Sequence, residues 1–531
     1  MKFPVIEQLD RSGMSNRQAF FFLLILSFTA VFPRWLTYHE PLTGDTSIFA
    51  LIGHEWLKGR PLYTDLVDQK PPLLYLTYAF GEVLFGYGHP QSFWLGALFS
   101  VATLVPIFLS GRWWRKEPLD GLLAASYWAF LSSDCKLEGN QPQAELFMAA
   151  FLSWGFYFSL PKRDHSTPWV FWVLSGVALA IASFYKNTIW GITVAVGMAY
   201  WFLPEAFMNR KRRLLANACI WAPTIMAWTS YLLYTMVSGS WPDLKKILFS
   251  FNLFYSGSVA NNLMTGFFQW NPSAYFLLPV LGLSLFTAYR GLREPNRIGV
   301  FFLALLTGTY IGVFSYEYQR IYYYQLWGPA LSVGIGWFWA ITSSNYDGLK
   351  RRIAACLLAF VFILLLVRVI PFWFKSPDEW SYSKYETTHL IDAPIANDLN
   401  RFLLPGETIF VFAHHSGIYI DSGRDPGTGV VADVFLRRGP LQEYYTHRAI
   451  NDLSIKQTEI IVCWNHFEKS EWETNLFILW LRDHYRPLVQ DPHPGSMVFL
   501  VRKGGRLDRT YPAPASGYGP GPGWANPFSR E

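Results

Sequence analysis

Apolar blocks close to 20 residues long recur along this chain, and about 20 is the length a helix needs to cross the hydrocarbon core of a bilayer. Eleven such spans are expected, at 18–36, 92–111, 119–134, 144–160, 168–185, 188–204, 214–237, 273–289, 298–316, 322–341 and 353–374. Charge agrees with them: 15% of the 531 residues are charged, against about a quarter in soluble domains. The expected fold is an α-helical polytopic membrane protein.

Orientation follows from lysine and arginine, which collect in cytoplasmic loops. Placing Arg112/Arg115/Lys116, Lys162/Arg163, Arg210 to Arg213, Arg290/Arg293/Arg297 and Lys350 to Arg352 inside, with Arg11 and Arg17, makes the eleven spans alternate. The stretch PPLLYLTYAFGEVLFG (71–86) then does not cross; it lies at or re-enters the outer interface. The first span lacks a small-residue cleavage site and is read as a retained helix. Residues 1–17 are expected to be cytoplasmic, 18–374 to form the transmembrane module with 37–91 as a long first outer loop, and the C-terminus to lie outside.

After residue 374 the pattern changes. Strand-like runs appear in TIFVFAHHSGIYI, EIIVCW and SMVFLVRK, separated by polar helical stretches, which predicts a small α/β domain over 375–503 on the outer, extracytoplasmic side. From 504 the Gly/Pro-rich tail to 531 is expected to be disordered. Cys135, Cys219, Cys356 and Cys463 show no metal or redox spacing. The net charge of +6 is dispersed over short loops, which argues against nucleic-acid binding. The loop 238–272, with Trp241, Phe249, Phe251 and Phe254, reads as an amphipathic interfacial helix.

Ionisable residues gather on the outer side. In GDTSIFALIGHEWLKG a helix is expected, with Thr43, Asp45, Thr46 or Ser47 as its cap; capping alone would explain an aspartate there. Asp45 shares its loop with YTDLVDQKPP, where Asp65, Asp68 and Lys70 precede a stiff Pro-Pro pair. Lys70 is placed either to bind a phosphate or to snorkel toward lipid headgroups. Glu145, in NQPQAELFM, enters an apolar span and either faces a protein-lined cavity or answers the helix dipole. Lys186, in FYKNTIW, is a boundary anchor or a second cation. Arg320 precedes Tyr322 and Tyr323, which can be an aromatic belt. Together these residues form a set able to neutralise a phosphate leaving group and to deprotonate an acceptor hydroxyl.

The motifs GDTSIFALIGHEWLKGRPLY, YTDLVDQKPPLLY, NQPQAELFM, FYKNTIW and RIYYYQLWGPAL, over residues 15 to 375, resemble those of the bacterial polyprenyl-phosphate-dependent glycosyltransferases of the GT-C type, a family related to protein O-mannosyltransferases and the lipid A aminoarabinose transferase. The resemblance implies a GT-C fold with membrane-parallel helices in the first outer loop. It also implies inverting transfer of a sugar from a polyprenyl-phosphate donor to a glycan, lipid or protein acceptor of the envelope, at the bacterial inner membrane. Asp45 would be the catalytic carboxylate and Glu145 the second acidic residue. Lys70, Lys186 and Arg320 would contact the lipid phosphate, Tyr323 would line the pocket, and Asp65 and Asp68 would be substrate-binding residues. Where many relatives have an acidic pair and a His-Tyr pair, this chain has Asp45-Thr46 and Tyr322-Tyr323.

Two other readings compete. A transporter or flippase predicts ionisable residues near the membrane midplane and paired broken helices. A non-catalytic assembly protein would tolerate loss of Asp45. No nucleotide-binding motif is present and no cofactor is evident. His414, His415 and His447 are not expected to form a zinc site, because adjacent residues at a strand end face opposite ways. No metal ligand is assigned, and dependence on a divalent metal stays open.

Overall fold

The computed structural model describes residues 14–162, 167–464, 474–488 and 497–512. Its longer helices in the first 374 residues are α1 (Asn16–Leu36), α2 (Gly44–Leu57), α3 (Pro72–Phe85), α4 (His89–Gly111), α5 (Pro118–Leu131), α6 (Ala144–Ser159), α7 (Trp169–Ser183), α8 (Ile189–Ala199), α9 (Arg210–Val237), α10 (Leu278–Leu292), α11 (Gly299–Phe314), α12 (Trp327–Asn345) and α13 (Gly348–Val369). Each of the eleven expected spans has its helix, from α1 and from α4 to α13. The helical segments Asn16–Leu36, His89–Gly111, Pro272–Leu292 and Gly348–Phe374 are long and apolar enough to cross a membrane by length and composition.

Several of the others are shorter than about 20 residues, and their packing shows why that is tolerated. α5 is enclosed by α1, α4 and α12, so most of its 14 residues meet protein rather than lipid. Small residues permit that closeness. A Cβ on Gly121 would lie 2.5 Å from the carbonyl oxygen of Phe108 in α4, and one on Gly336 would lie 2.6 Å from that of Asp120 in α5. By contrast α1 and α13 carry exposed Phe20, Phe21, Phe28, Phe360 and Ile363, the outward apolar surface of a bundle in lipid.

α2 and α3 belong to the first long loop. Each has 14 residues and spans about 21 Å at 1.5 Å per residue. They pack on one another, and α3 packs on α4, at the end of the bundle where α1, α5, α7, α9, α11 and α13 finish. The loops between these helices knit that end together. The buried Arg34 donates to the carbonyls of Ser132 (2.6 Å) and Gly139 (2.8 Å), and Thr43 N–H donates to Gln141 (2.9 Å).

The loop 238–272, expected to hold an amphipathic interfacial helix, is helical. Residues 241–256 form one continuous helical run whose middle, Lys245–Phe251, widens to π geometry. One side of it is buried, with Phe251 4.5 Å from the ring of Phe435 in the C-terminal domain and Asn252 donating to the Gln69 carbonyl (3.0 Å), while Leu253 and Phe254 are 72% and 46% exposed. The run thus touches both the first long loop and the C-terminal domain and keeps an exposed apolar side.

The C-terminal domain packs on this same end. Its sheet holds β1 (Ile409–Phe412), β2 (Ile460–Trp464), β3 (Tyr485–Pro487) and β4 (Met497–Arg502) in the order β1-β2-β4-β3. β1 pairs parallel with β2 in the register Ile409 to Ile460; the other pairings are antiparallel. All of β1 is buried, so the run TIFVFAHHSGIYI is a strand only over 409–412, and its last part becomes the helix Gly417–Ser422. Residues 504–512, expected to begin a disordered tail, are part of the fold. Arg506–Thr510 is a helical turn anchored by buried Leu507 and by Arg506 on Glu407 (2.6 Å). The rest of that tail, residues 1–13 of the N-terminal segment and Arg163 lie outside the described residues.

Candidate active site

Asp45 lies in the first turn of α2. The helix is capped by Thr43, whose hydroxyl accepts from Thr46 N–H (3.3 Å), so capping does not occupy the Asp45 carboxylate. Its side chain is 24% exposed. Tyr322 donates a hydrogen bond to Oδ2, and His414 of the C-terminal domain brings Nε2 to 3.7 Å from Oδ1. The approach of His414 requires the neighbouring glycine: a Cβ on Gly44 would overlap its imidazole. Burial works to raise the Asp45 pKa, but His414, Lys70, the Tyr322 hydrogen bond and Arg320 outweigh it and hold the carboxyl below its ordinary value.

Lys70 is fixed by its backbone. Its carbonyl accepts from Tyr63 (2.8 Å), its N–H donates to Tyr75 (3.2 Å), and Pro71 and Pro72 follow. Among the described residues its ammonium makes no ion pair or hydrogen bond. Burial acts to lower its pKa, but Asp45 and Asp68 outweigh it and raise it. Arg320, exposed at the start of the 3₁₀ turn Ile321–Leu326, is influenced by Tyr255 and Asp45 as well. Tyr255 comes from the run 241–256.

That 3₁₀ turn distributes three tyrosines, because successive residues point about 120° apart at three residues per turn. Tyr322 faces Asp45 and Tyr323 covers Lys186, with its ring centroid 3.3 Å from the ammonium. Tyr324 accepts from Asn271 N–H (2.9 Å). All three are buried, so the aromatic-belt reading of this stretch does not hold.

Lys186 and Glu145 are brought to the same end but satisfy each other. The ammonium donates to Glu145 Oε1 at 2.9 Å, with the two side chains 3% and 2% exposed. Burial depresses the Lys186 pKa to about 8, against the pull of Glu145. Glu145 Oε2 is buried with no hydrogen-bond partner among the described residues.

Asp65 and Asp68 behave differently from the rest. Asp65 lies apart, held by Arg60 (2.6 Å) and by Arg448 of the C-terminal domain (3.1 Å). Asp68 accepts from Tyr75 (2.6 Å) and from Gln69 N–H (2.7 Å), which shapes the turn carrying Lys70.

Three residues that the sequence does not assign to the site enter it: His414, Tyr255 and Glu138. Glu138 has a left-handed backbone (φ 57°) and is buried near Asp45, where burial pushes its pKa to about 7 against the influence of Tyr385 and Lys384. A glutamate in a left-handed conformation is a strained choice, but a single sequence does not display φ.

No family model and no curated protein sequence matches this chain. Solved structures do. ArnT from Cupriavidus metallidurans bound to undecaprenyl phosphate is 14% identical, with a TM-score of 0.58 over 92% of this chain and 98% of that one. The same protein in its apo state gives 0.54 at 14% identity, over 90% and 96%. The archaeal oligosaccharyltransferase AglB from Archaeoglobus fulgidus, in complex with an inhibitory peptide and a dolichol-phosphate, gives 0.50 at 12% identity, over 92% and 74%.

Proposed function

From the GT-C glycosyltransferase fold that this chain has, we propose that it is an integral membrane glycosyltransferase. It moves a sugar from a polyprenyl-phosphate donor to a glycan, lipid or protein acceptor on the outer face of the bacterial inner membrane, with inversion at the anomeric carbon. Its module of residues 18–374 does the chemistry, and the extracytoplasmic C-terminal domain closes the site and supplies His414. Support for the donor class comes from the polyprenyl phosphates held by two of the similar structures.

The observation that carries the reading is a partly exposed carboxylate facing two cations that have no counterion in contact among the described residues. The Asp45 carboxyl is held below its ordinary pKa and is reachable, while Lys70 and Arg320 stand near it with no acidic partner in contact among the described residues. In the reaction the acceptor hydroxyl forms the new bond to the anomeric carbon and passes its proton to Asp45. The electron pair of the breaking sugar–phosphate bond stays on the phosphate oxygen, and Lys70 and Arg320 neutralise the polyprenyl phosphate that leaves. Tyr322 fixes the direction of the carboxylate.

Donor binding also readies the base. In the free protein Lys70 and Arg320 hold the Asp45 pKa down; a donor phosphate between them cancels part of that field, and Asp45 becomes more basic when its substrate is in place. Glu145 and Lys186 act as a positioning pair beneath Tyr323. A flippase is disfavoured because these groups lie at one end of the bundle and not at its middle.

The test is transfer of a labelled sugar by the purified, folded Asp45→Asn protein given lipid-linked donor. Loss of transfer with donor binding retained is expected; turnover like that of the wild type would remove the proposed base.

A further inference from the structure

The turn after β1 holds two adjacent histidines that face opposite ways. His414 reaches out to Asp45, with its side chain 50% exposed. His415 is fully buried, and its Nδ1 lies 2.5 Å from Asp392 Oδ1. Asp392 opens the helix Asp392–Phe402, and three residues before it, on the same helical face, His389 places Nδ1 3.6 Å from Asp392 Oδ2. The three residues are 4%, 1% and 0% exposed in chain order.

This cluster is incompletely satisfied. His389 Nδ1, Asp392 Oδ2 and His415 Nε2 are buried with no hydrogen-bond partner among the described residues. The 3.6 Å between His389 and Asp392 is too long for a hydrogen bond. It is close to the roughly 3.4 Å edge between two ligands of a tetrahedral Zn²⁺ with bonds of about 2.0–2.1 Å. One donor atom from each of the three residues lies within 4.8 Å of the others. The surroundings resemble a metal site's outer layer: Tyr385 stands edge-on to His389 (5.0 Å) and Trp464 edge-on to His415 (5.1 Å). At position 417 a Cβ would come within 2.7 Å of Asp392 Oδ2, so glycine keeps that oxygen clear.

We propose that His389, Asp392 and His415 form a buried Zn²⁺ site in the C-terminal domain, with water in the fourth position. Two imidazoles and one carboxylate suit zinc, and a buried carboxylate between two rings is better compensated by a dication than by one shared proton. The ion would lock the 413–416 turn through His415 and so hold His414 against Asp45. That consequence for catalysis rests on the glycosyltransferase reading; the binding of the metal does not.

The experiment uses the full-length protein in detergent, stripped with a chelator, incubated with Zn²⁺ and desalted, with metal read by mass spectrometry. About one Zn²⁺ per chain is expected, along with a higher melting temperature than that of the stripped protein. His415→Ala and Asp392→Asn should each weaken retention at least about 10-fold, whereas His414→Ala keeps the ion. Should the ligand variants fail to fold, X-ray absorption of the zinc-loaded wild type decides the matter. Outer-shell scattering from two imidazoles supports the site, and its absence overturns it, as does a stripped wild type that takes up no zinc. No donor or acceptor enters these measurements, so failure of the metal site and failure of the transferase reading are told apart.

Discussion

Asp45 and Glu145 occupy equivalent positions in the chain's local grammar: each is the acidic residue in the first turn of a helix that begins at the loop-rich end of the bundle. Packing gives them opposite characters. Glu145 is buried with Lys186 in contact, and the two charges neutralise each other. Asp45 is partly exposed, and Lys70 and Arg320 act on it from beyond contact. A touching ion pair in low dielectric is a structural element, since its attraction is offset by desolvation and opening it is costly. A carboxylate whose cations stand off leaves room for a substrate between them.

If this contrast is correct, the largest effect belongs to Asp45→Asn. Removing a general base costs about 10² to 10⁴ in rate, while donor binding should be retained or tighter, because a negative charge near the phosphate has gone. Turnover and donor affinity measured on the same preparation check both halves. A variant within tenfold of wild type would erase the distinction between the two carboxylates.

Glu145→Gln should act on stability instead. It leaves the Lys186 ammonium buried without its counterion, a loss of about 3–5 kcal/mol, visible as a lower melting temperature in detergent. Combining it with Lys186→Met should recover most of that loss, because the uncompensated charge disappears as well. If the double variant melts no higher than Glu145→Gln alone, the pair is not the structural element described.

Lys70→Ala tests the open cation. A charge-assisted contact to a phosphate contributes about 1.5–3 kcal/mol, so donor affinity should weaken about 10- to 100-fold, with little change in melting temperature. An unchanged affinity would move the phosphate elsewhere.

These differences were only partly legible in the sequence. The eleven spans could be read because a bilayer imposes a length on apolar runs, and each run has its helix. Asp45, Lys70 and Arg320 could be read because polar residues at the outer ends of such helices are conspicuous. The closure of Glu145 on Lys186 could not, since it depends on how α6 sits beside the α7–α8 junction. His414 was hidden further: it meets Asp45 only because the C-terminal domain folds back onto α2. The partners of Asp65 were hidden for the same reason, as one of them, Arg448, lies 383 positions away. Residues 504–512 looked like linker by composition, but buried Leu507, Arg506 on Glu407, and Asp508 and Tyr511 on Arg486 dock them.

The smallest expected effect is also the finest test of how Asp45 is tuned. Asp45 acts as a carboxylate, so activity falls as pH drops through its pKa. In the free protein that pKa is below the ordinary value of about 3.9, because His414, Lys70, Tyr322 and Arg320 together outweigh burial. The acid limb of kcat/KM reports the free protein, and that of kcat the donor complex. Because the bound phosphate offsets Lys70 and Arg320, the kcat limb should lie at higher pH than the kcat/KM limb. Tyr322→Phe deletes one hydrogen bond to the ionised form, worth about 1 kcal/mol, and should move both limbs upward by under about one unit while preserving their order. Coincident limbs in the wild type would mean that the donor phosphate does not sit between the two cations; limbs unmoved by Tyr322→Phe would mean that this phenol does not tune the base.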